Sequence, residues 1–156
     1  MILQIIGYKN VGKTTLMTHA ISFLKEQNFK VAIIKHHGHQ GEDIQLQHQP
    51  VDHMKHFQSG ADQSIVQGHA YRQTVTRTTE QSLSNIIKES VTIDCDVVLV
   101  EGFKHENYDK IIVYDNEKQL HELNHLNNIC YRIKLNEPNA YQKFDEWLIN
   151  KVTHKD

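Results

Sequence analysis

A glycine-containing stretch near the N-terminus carries residue types that bind phosphate. Residues 7–14, GYKNVGKT, match the pattern GxxxxGK[ST] at every defined position. Glycines let the backbone curl so that its N–H groups surround phosphate oxygens, while the lysine reaches the β- and γ-phosphates and the hydroxyl is a ligand for Mg²⁺. The stretch predicts a phosphate-binding loop, or P-loop, with an unliganded glycine turn as the alternative. The candidate nucleotide-binding residues are Gly7, Lys9, Asn10, Val11, Gly12, Lys13, Thr14 and Thr15, with Lys13 as a catalytic candidate and Thr14 as a metal ligand.

A carboxylate that could serve this loop follows a run of four apolar residues. Residues 97–100, VVLV, predict a strand that is buried on both faces, and Glu101 and Gly102 come directly after it. Because parallel strands share their C-terminal edge, Glu101 is expected beside the P-loop as a catalytic and metal-binding residue. Direct ligation, ligation through water and positioning of the attacking water all stay open. Gly102 is expected either to bring its N–H to the γ-phosphate or to serve only as a turn glycine.

A histidine-rich segment, KHHGH at residues 35–39, follows the second predicted strand. Its position at the same edge predicts contact with the γ-phosphate or a substrate, with Lys35, His36 and His39 as candidates. Asp43, or its neighbour Glu42, can supply a second carboxylate near Mg²⁺, and Asp43 is taken as the metal candidate. Alternatively, the histidines of this segment bind Ni²⁺ or Zn²⁺, or are solvated loop residues.

The order of apolar and polar segments predicts how these residues are positioned. Apolar runs alternate with helical patterns, which indicates an α/β fold of the P-loop NTPase type, with a mostly parallel sheet flanked by helices. The predicted strands are residues 1–6, 31–34, 97–100, 110–114 and 129–135. The predicted helices are residues 13–27, 51–58, a segment ending near 89, 117–126 and a C-terminal helix opened by Pro138.

A β-hairpin is expected to interrupt this rhythm around residues 63–76. The segments 63–67 and 70–76 are β-like, and Gly68-His69 between them suits a type II′ turn. Thr78 and Gln81 have the spacing of a capping box for the helix that follows. With no linker in sight, residues 1–156 are predicted to form a single nucleotide-binding domain.

Composition excludes several other classes of protein. Of the 156 residues, 17 are basic and 19 acidic, so the chain lacks the positive surplus of a nucleic-acid-binding module. No segment is apolar enough to span a membrane, and no secretory signal is expected, so we expect a cytoplasmic protein without a membrane partner. Cys95 and Cys130 are expected to be buried free thiols. The NKxD element that recognises guanine is absent, so the sequence does not decide whether the nucleotide carries guanine or adenine.

Several of these features together resemble the MobB-type family of molybdopterin-guanine dinucleotide biosynthesis adaptor proteins. The matching pieces recur in the family's order: residues 7–15, Ile34-Lys35-His36 with His39, Asp52 to Ala61, LVEGFK at 99–104, and Lys110-Ile111. The chain departs from the family pattern at Lys55, where arginine is expected, and at Asp109 and Asp115, where proline and arginine are expected.

The resemblance implies a homodimer that binds GTP with Mg²⁺ and hydrolyses it slowly. It implies two kinds of partner, the molybdenum cofactor guanylyltransferase and molybdopterin or its guanine dinucleotide. Other functions remain open: a metallochaperone GTPase that uses His36, His37 and His39, a small-molecule kinase, and a scaffold that binds nucleotide without hydrolysing it.

Overall fold

The computed structural model describes residues 1–37, 43–47, 51–79 and 81–154. Its strands are β1 (Ile2–Ile6), β2 (Val31–Lys35), β3 (Gln63–Gln67), β4 (Arg72–Thr76), β5 (Val97–Glu101), β6 (Asp109–Val113) and β7 (Ile129–Ile133). Its helices are α1 (Lys13–Glu26), α2 (Asp52–Gln58), α3 (Leu83–Ser90), α4 (Glu117–Leu123) and α5 (Ala140–Thr153). The contacts group into two compact units, Met1–Gly38 with Ser82–Asp156, and His39–Gln81. A single domain over residues 1–156 stays a prediction.

The first unit contains a five-stranded parallel sheet with the order β2-β5-β1-β6-β7. Every residue of β5 is buried, as expected for an apolar run in the middle of such a sheet. One face of the sheet is covered by α1 and α5, whose buried residues include Leu16, Leu24, Phe144 and Leu148. The predicted α/β fold with a mostly parallel sheet and a separate hairpin is confirmed.

Because β2, β5 and β1 are adjacent and parallel, the C-terminal ends of these three strands lie side by side. Lys35 and Ile5 are both register partners of Glu101. At the opposite edge, the Asp96 carboxylate accepts a hydrogen bond from Lys30 N at 2.8 Å. The N-terminal ammonium of Met1 donates to the carbonyl oxygen of Asp96 at 2.9 Å. Asp96 therefore anchors the start of β5, which lies between β2 and β1, and Glu101 is the last residue of that strand.

The second unit contains α2 and the hairpin of β3 and β4, and its turn differs from the predicted one. Gly68 N donates to Tyr71 O at 2.8 Å, so His69 and Ala70 are the two central residues of the turn. Gly68 does not have the positive φ that the first central position of a type II′ turn requires. The prediction of a II′ turn at Gly68-His69 was wrong because Gly68 ends the first strand arm instead of opening the turn.

Several helix and strand ends also differ from the sequence prediction. The capping box at Thr78 was wrong: α3 begins at Leu83, and the Ser82 hydroxyl accepts a hydrogen bond from Asn85 N at 3.3 Å. Burial selects this later start, because Leu83 is 0% exposed and packs against β5. The ends of α4 and β7 come at residues 123 and 133, earlier than predicted. The C-terminal helix begins at Ala140, after Asn139 in a left-handed conformation.

The two cysteines are free and half-buried, less buried than the sequence suggested. Cys130 Sγ donates to Lys110 O at 3.2 Å. Burial raises the pKa of the Cys130 thiol to about 11, so this thiol stays protonated at neutral pH. In the described ranges, no helix is both long and apolar enough to cross a membrane.

Candidate functional site

The loop between β1 and α1 follows a path that needs glycine at both defined glycine positions. A Cβ at Gly7 would lie 2.4 Å from Val113 O and 2.9 Å from a methyl carbon of Val11. Gly12 has a φ of 96°, and a Cβ there would lie 2.5 Å from Leu135 Cδ1. Both glycines are therefore fixed by close packing, and Gly12 also by its left-handed backbone.

The backbone N–H groups of this loop differ from those of the helix that follows. Within the described residues, no backbone carbonyl accepts from the N–H groups of residues 8–12. Helical hydrogen bonding starts only with Leu16 N, which donates to Gly12 O at 2.9 Å. The first N–H groups of a helix and its positive dipole end attract anions. The loop and the first turn of α1 therefore form a site with the donors that a phosphate chain requires.

Lys13 adds a positive charge to this loop. Its ammonium donates to Tyr8 O at 2.6 Å, across the loop that the phosphates would enter. Burial lowers the pKa of Lys13, the nearby Glu101 carboxylate opposes that shift, and Lys35 adds to it. A half-buried ammonium interacts with an anion more strongly than a fully solvated one, because water screens the interaction less.

Three polar side chains meet where β5 ends. Thr14 Oγ1 donates to Glu101 Oε2 at 3.3 Å, and Lys35 Nζ lies 3.5 Å from Glu101 Oε1. Glu101 is only 9% exposed, so its carboxylate is held between the first turn of α1 and the end of β2. The hydroxyl and carboxylate oxygens form a donor set that Mg²⁺ prefers. The residues present therefore fit a magnesium ion at the mouth of the P-loop.

His36 and Gly102 lie next to this group. The His36 ring stacks on Phe103 with 4.4 Å between ring centroids and 24° between ring planes. Gly102 has a φ of 98°, and a Cβ there would lie 3.0 Å from His36 Cβ. Gly102 N already donates to Ile5 O at 3.2 Å, and the positive φ supports the alternative role of Gly102 as a turn glycine. Contact of Gly102 with a γ-phosphate stays a prediction.

Two buried polar residues that the sequence analysis did not assign to the site hold the loop after Glu101. Gln4 Nε2 donates to Gly102 O at 3.1 Å and to Phe103 O at 2.7 Å. Lys110 Nζ donates to the carbonyl oxygens of Glu106 and Tyr108. Gln4 and Lys110 are register partners on β1 and β6, with exposures of 0% and 1%. A glutamine inside the apolar run MILQII was the signal that could have found one of them.

The described structure does not test the remaining candidates. His39 and Glu42 lie outside the described residues, and His37, which follows His36, is exposed. Asp43 belongs to the second unit, where its carboxylate accepts from Ile44 N at 2.8 Å. Among the described residues, no group of three or more His, Cys, Asp or Glu side chains could hold a metal ion. The roles of His39 and Asp43 stay predictions.

Comparison with protein families gives a match over most of the chain. The model of the family described as "Molybdopterin guanine dinucleotide synthesis protein B", MobB, matches residues 2–133. This span contains the P-loop, Glu101 and Lys110. The resemblance inferred from the sequence is confirmed.

Individual relatives agree with this match. A Bacillus subtilis protein named "Probable molybdopterin-guanine dinucleotide biosynthesis adapter protein" is 32% identical over 135 residues, which are 85% of this chain and 77% of that protein. A Haemophilus influenzae adapter protein is 32% identical over 117 residues, 74% of this chain and 64% of that protein. The crystal structure of a MobB homolog from Bacillus stearothermophilus has a TM-score of 0.76 and 26% identity, with 99% of each chain covered.

Proposed function

Because the chain belongs to the MobB family, we propose that it is a nucleotide-binding adapter protein in the synthesis of molybdopterin guanine dinucleotide. The nucleotide is GTP with Mg²⁺, and its hydrolysis is slow. The observation that carries the nucleotide part is the group at the end of β5, where Thr14 Oγ1 and Glu101 Oε2 lie 3.3 Å apart. Beside them is a loop whose N–H groups have no backbone acceptor among the described residues.

Each residue of the group has a chemical role in this proposal. The N–H groups of residues 8–12 and the Lys13 ammonium hold the phosphate chain and stabilise its negative charge. Thr14 and Glu101 hold the metal, either directly or through water. Mg²⁺, when bound, neutralises charge on the phosphate oxygens. Lys35 lies beside Glu101 and limits the net negative charge around that carboxylate.

The distribution of arginine supports slow hydrolysis. An arginine that reaches the transferred phosphoryl group speeds hydrolysis by several orders of magnitude. The chain has three arginines, and Arg72 and Arg77 donate hydrogen bonds to Gln67 Oε1 and Phe57 O within the second unit itself. Arg132 lies on β7, and its Nε donates to Asn124 Oδ1 at 2.9 Å. In the described part of the first unit, the cations next to Glu101 are therefore the lysines 13 and 35, and we expect low turnover.

The adapter role includes partners. We propose that the protein forms a homodimer, that it acts in the cytoplasm, and that it binds the molybdenum cofactor guanylyltransferase and molybdopterin or its guanine dinucleotide. The names of the relatives support this role in dinucleotide synthesis. Size-exclusion chromatography of the chain, alone and with a purified guanylyltransferase, tests the dimer and the partner separately.

Nucleotide binding is tested by removing the Lys13 charge. Titration calorimetry with GTP, ATP and the guanine dinucleotide is run on the wild type, Lys13→Ala and the control Lys118→Ala. We expect Lys13→Ala to lose about 2–4 kcal/mol of GTP binding free energy, because it removes a half-buried charge that faces the phosphates. The control removes a lysine that is 85% exposed on α4 and leaves binding unchanged. Unchanged GTP affinity in Lys13→Ala contradicts the proposal.

The metal role of Glu101 is tested by Glu101→Gln, which keeps the shape of the side chain and removes its charge. We expect Mg²⁺-dependent GTP hydrolysis to fall at least tenfold, while GTP binding in EDTA stays within about threefold of the wild type. Equal losses with and without metal indicate that Glu101 has a structural role instead.

A further inference from the structure

A groove between α1 and α5 begins at the P-loop. It has a volume of ≈ 500 Å³ and is lined by Thr14, Thr15, Thr18, His19, Ser22 and Tyr141. Small-molecule sites usually have volumes of about 300–1,000 Å³. Thr14 and Thr15 belong both to this groove and to the phosphate loop, so the two are continuous. From Thr14 to Ser22 the groove follows about 12 Å of helix.

The far end of the groove carries a cluster of side chains that the proposed phosphate site does not use. His19 Nε2 lies 2.7 Å from Asp145 Oδ1, which links α1 to α5. The His19 ring is 4.7 Å from the Tyr141 ring, at an interplanar angle of 57°. Tyr141 is half-buried and packs against the main core, so its ring is held in place. An immobilised aromatic ring beside hydroxyl groups is a surface on which a planar base can stack.

The orientation of the phosphate site indicates what reaches this groove. Lys13 serves the β- and γ-phosphates, and the Thr14–Glu101 pair defines the metal end of the chain. A nucleoside must therefore leave the loop away from Glu101. The groove offers such a path, because it starts at Thr14 and Thr15 and runs along α1 towards Tyr141.

We propose that the α1–α5 groove holds the nucleoside part of the bound nucleotide, with the base against the Tyr141 ring and the sugar beside the Thr18 and Ser22 hydroxyls. This inference rests on the proposed nucleotide-binding function and adds the subsite that the phosphate loop alone does not supply. The His19–Asp145 pair positions the wall of the subsite by fixing the His19 ring against Tyr141. The chain thereby separates binding of the phosphates from binding of the base.

Comparing GTP with inorganic tripolyphosphate tests the subsite, because tripolyphosphate has the phosphate chain without a nucleoside. Both ligands are titrated with Mg²⁺ into the wild type, Tyr141→Ala and Tyr141→Phe. We expect Tyr141→Ala to weaken GTP binding about tenfold, the usual size of a lost base–aromatic contact. Its affinity for tripolyphosphate stays unchanged, and Tyr141→Phe, which keeps the ring, binds GTP like the wild type.

The same titrations separate failure of the subsite from failure of the phosphate site. Equal GTP affinity in Tyr141→Ala and the wild type overturns the subsite, and leaves the proposed function standing if Lys13→Ala still loses both ligands. Equal loss of GTP and tripolyphosphate in Tyr141→Ala also overturns it, because the ring then acts through the fold of the loop. If the wild type binds neither ligand, the proposed function and the subsite fall together.

Discussion

Two loops leave the same edge of the sheet and use their polar backbone groups in opposite ways. In the P-loop, the N–H groups of residues 8–12 donate to no backbone carbonyl within the described residues. In the loop at residues 102–108, four carbonyl oxygens accept hydrogen bonds from the buried side chains of Gln4 and Lys110. The donors of the first loop are therefore available for the proposed ligand, whereas the carbonyl groups of the second loop are held by side chains of the sheet. Unused donors suit a binding loop, and satisfied acceptors suit a support for Glu101.

The largest effect on stability and GTP binding is expected from Gly7→Ala, which disrupts the close packing of the P-loop. The new Cβ would lie 2.4 Å from the backbone oxygen of Val113, and neither backbone can give way without moving a strand end. We expect about 3 kcal/mol less free energy of unfolding and loss of GTP binding. Urea denaturation and calorimetry measure the two effects.

Gly68→Ala is the matched control for this change. A Cβ at Gly68 would meet Tyr71 O at 3.4 Å, an ordinary contact, and its φ suits an L-residue. We expect a change of less than about 0.5 kcal/mol. Similar losses in both variants indicate that the loop path does not depend on close packing at Gly7.

Lys110→Met tests the hydrogen bonds that hold the second loop, residues 102–108, to the sheet. The change leaves the carbonyl oxygens of Glu106 and Tyr108 without their buried partner, and we expect a loss of about 2 kcal/mol in the free energy of unfolding. GTP affinity in EDTA stays within about twofold, because this loop supports the site without supplying donors to it. Lys118→Met, at an exposed position on α4, serves as the control in the same urea titration. A stability equal to the wild type contradicts the role of Lys110.

A smaller effect is expected from Gln4→Leu. This change removes two hydrogen bonds to Gly102 and Phe103, but it also removes Oε1, a buried oxygen without a hydrogen-bond partner. The two effects partly offset each other, so we expect a loss of about 1 kcal/mol. Because Gln4 and Lys110 hold one loop, the double variant loses less than the sum of the single losses. Strict additivity in urea denaturation shows that the two ties are independent.

The smallest effect concerns pH and the Lys13 charge. Burial lowers the pKa of Lys13 below the usual lysine value near 10.4, and a bound phosphate chain favours the charged form. The GTP affinity that Lys13 contributes is therefore complete at neutral pH and is lost as the pH rises through its pKa. The ratio of GTP dissociation constants between Lys13→Met and the wild type isolates this contribution, because titration of the nucleotide cancels. A ratio that begins to fall only above the usual lysine pKa contradicts the lowered pKa.

Short local patterns in the sequence were enough to predict part of this structure. The spacing of residues 7–14 predicted the loop, and the run ending in Glu101 predicted a buried strand, which β5 is. The predicted start of α3 was wrong, because Thr78 and Ser82 are both residue types that suit a helix N-cap. The choice between them depends on Leu83, which is buried against β5 only in the folded chain. The role of Gln4 was not predicted, because its hydrogen-bond partners are about 100 residues away along the chain.

The amino-acid sequence by itself determined the phosphate-binding pattern, the alternation of strands and helices and the family, because each depends on residue types at fixed spacings. Only the tertiary structure decided which side chains meet. The strand order β2-β5-β1 brings Lys35 and Glu101 to Thr14, and the packing of α5 on α1 brings Tyr141 to His19. These long-range contacts depend on how apolar faces are buried together, so they cannot be predicted from residue spacing along the chain.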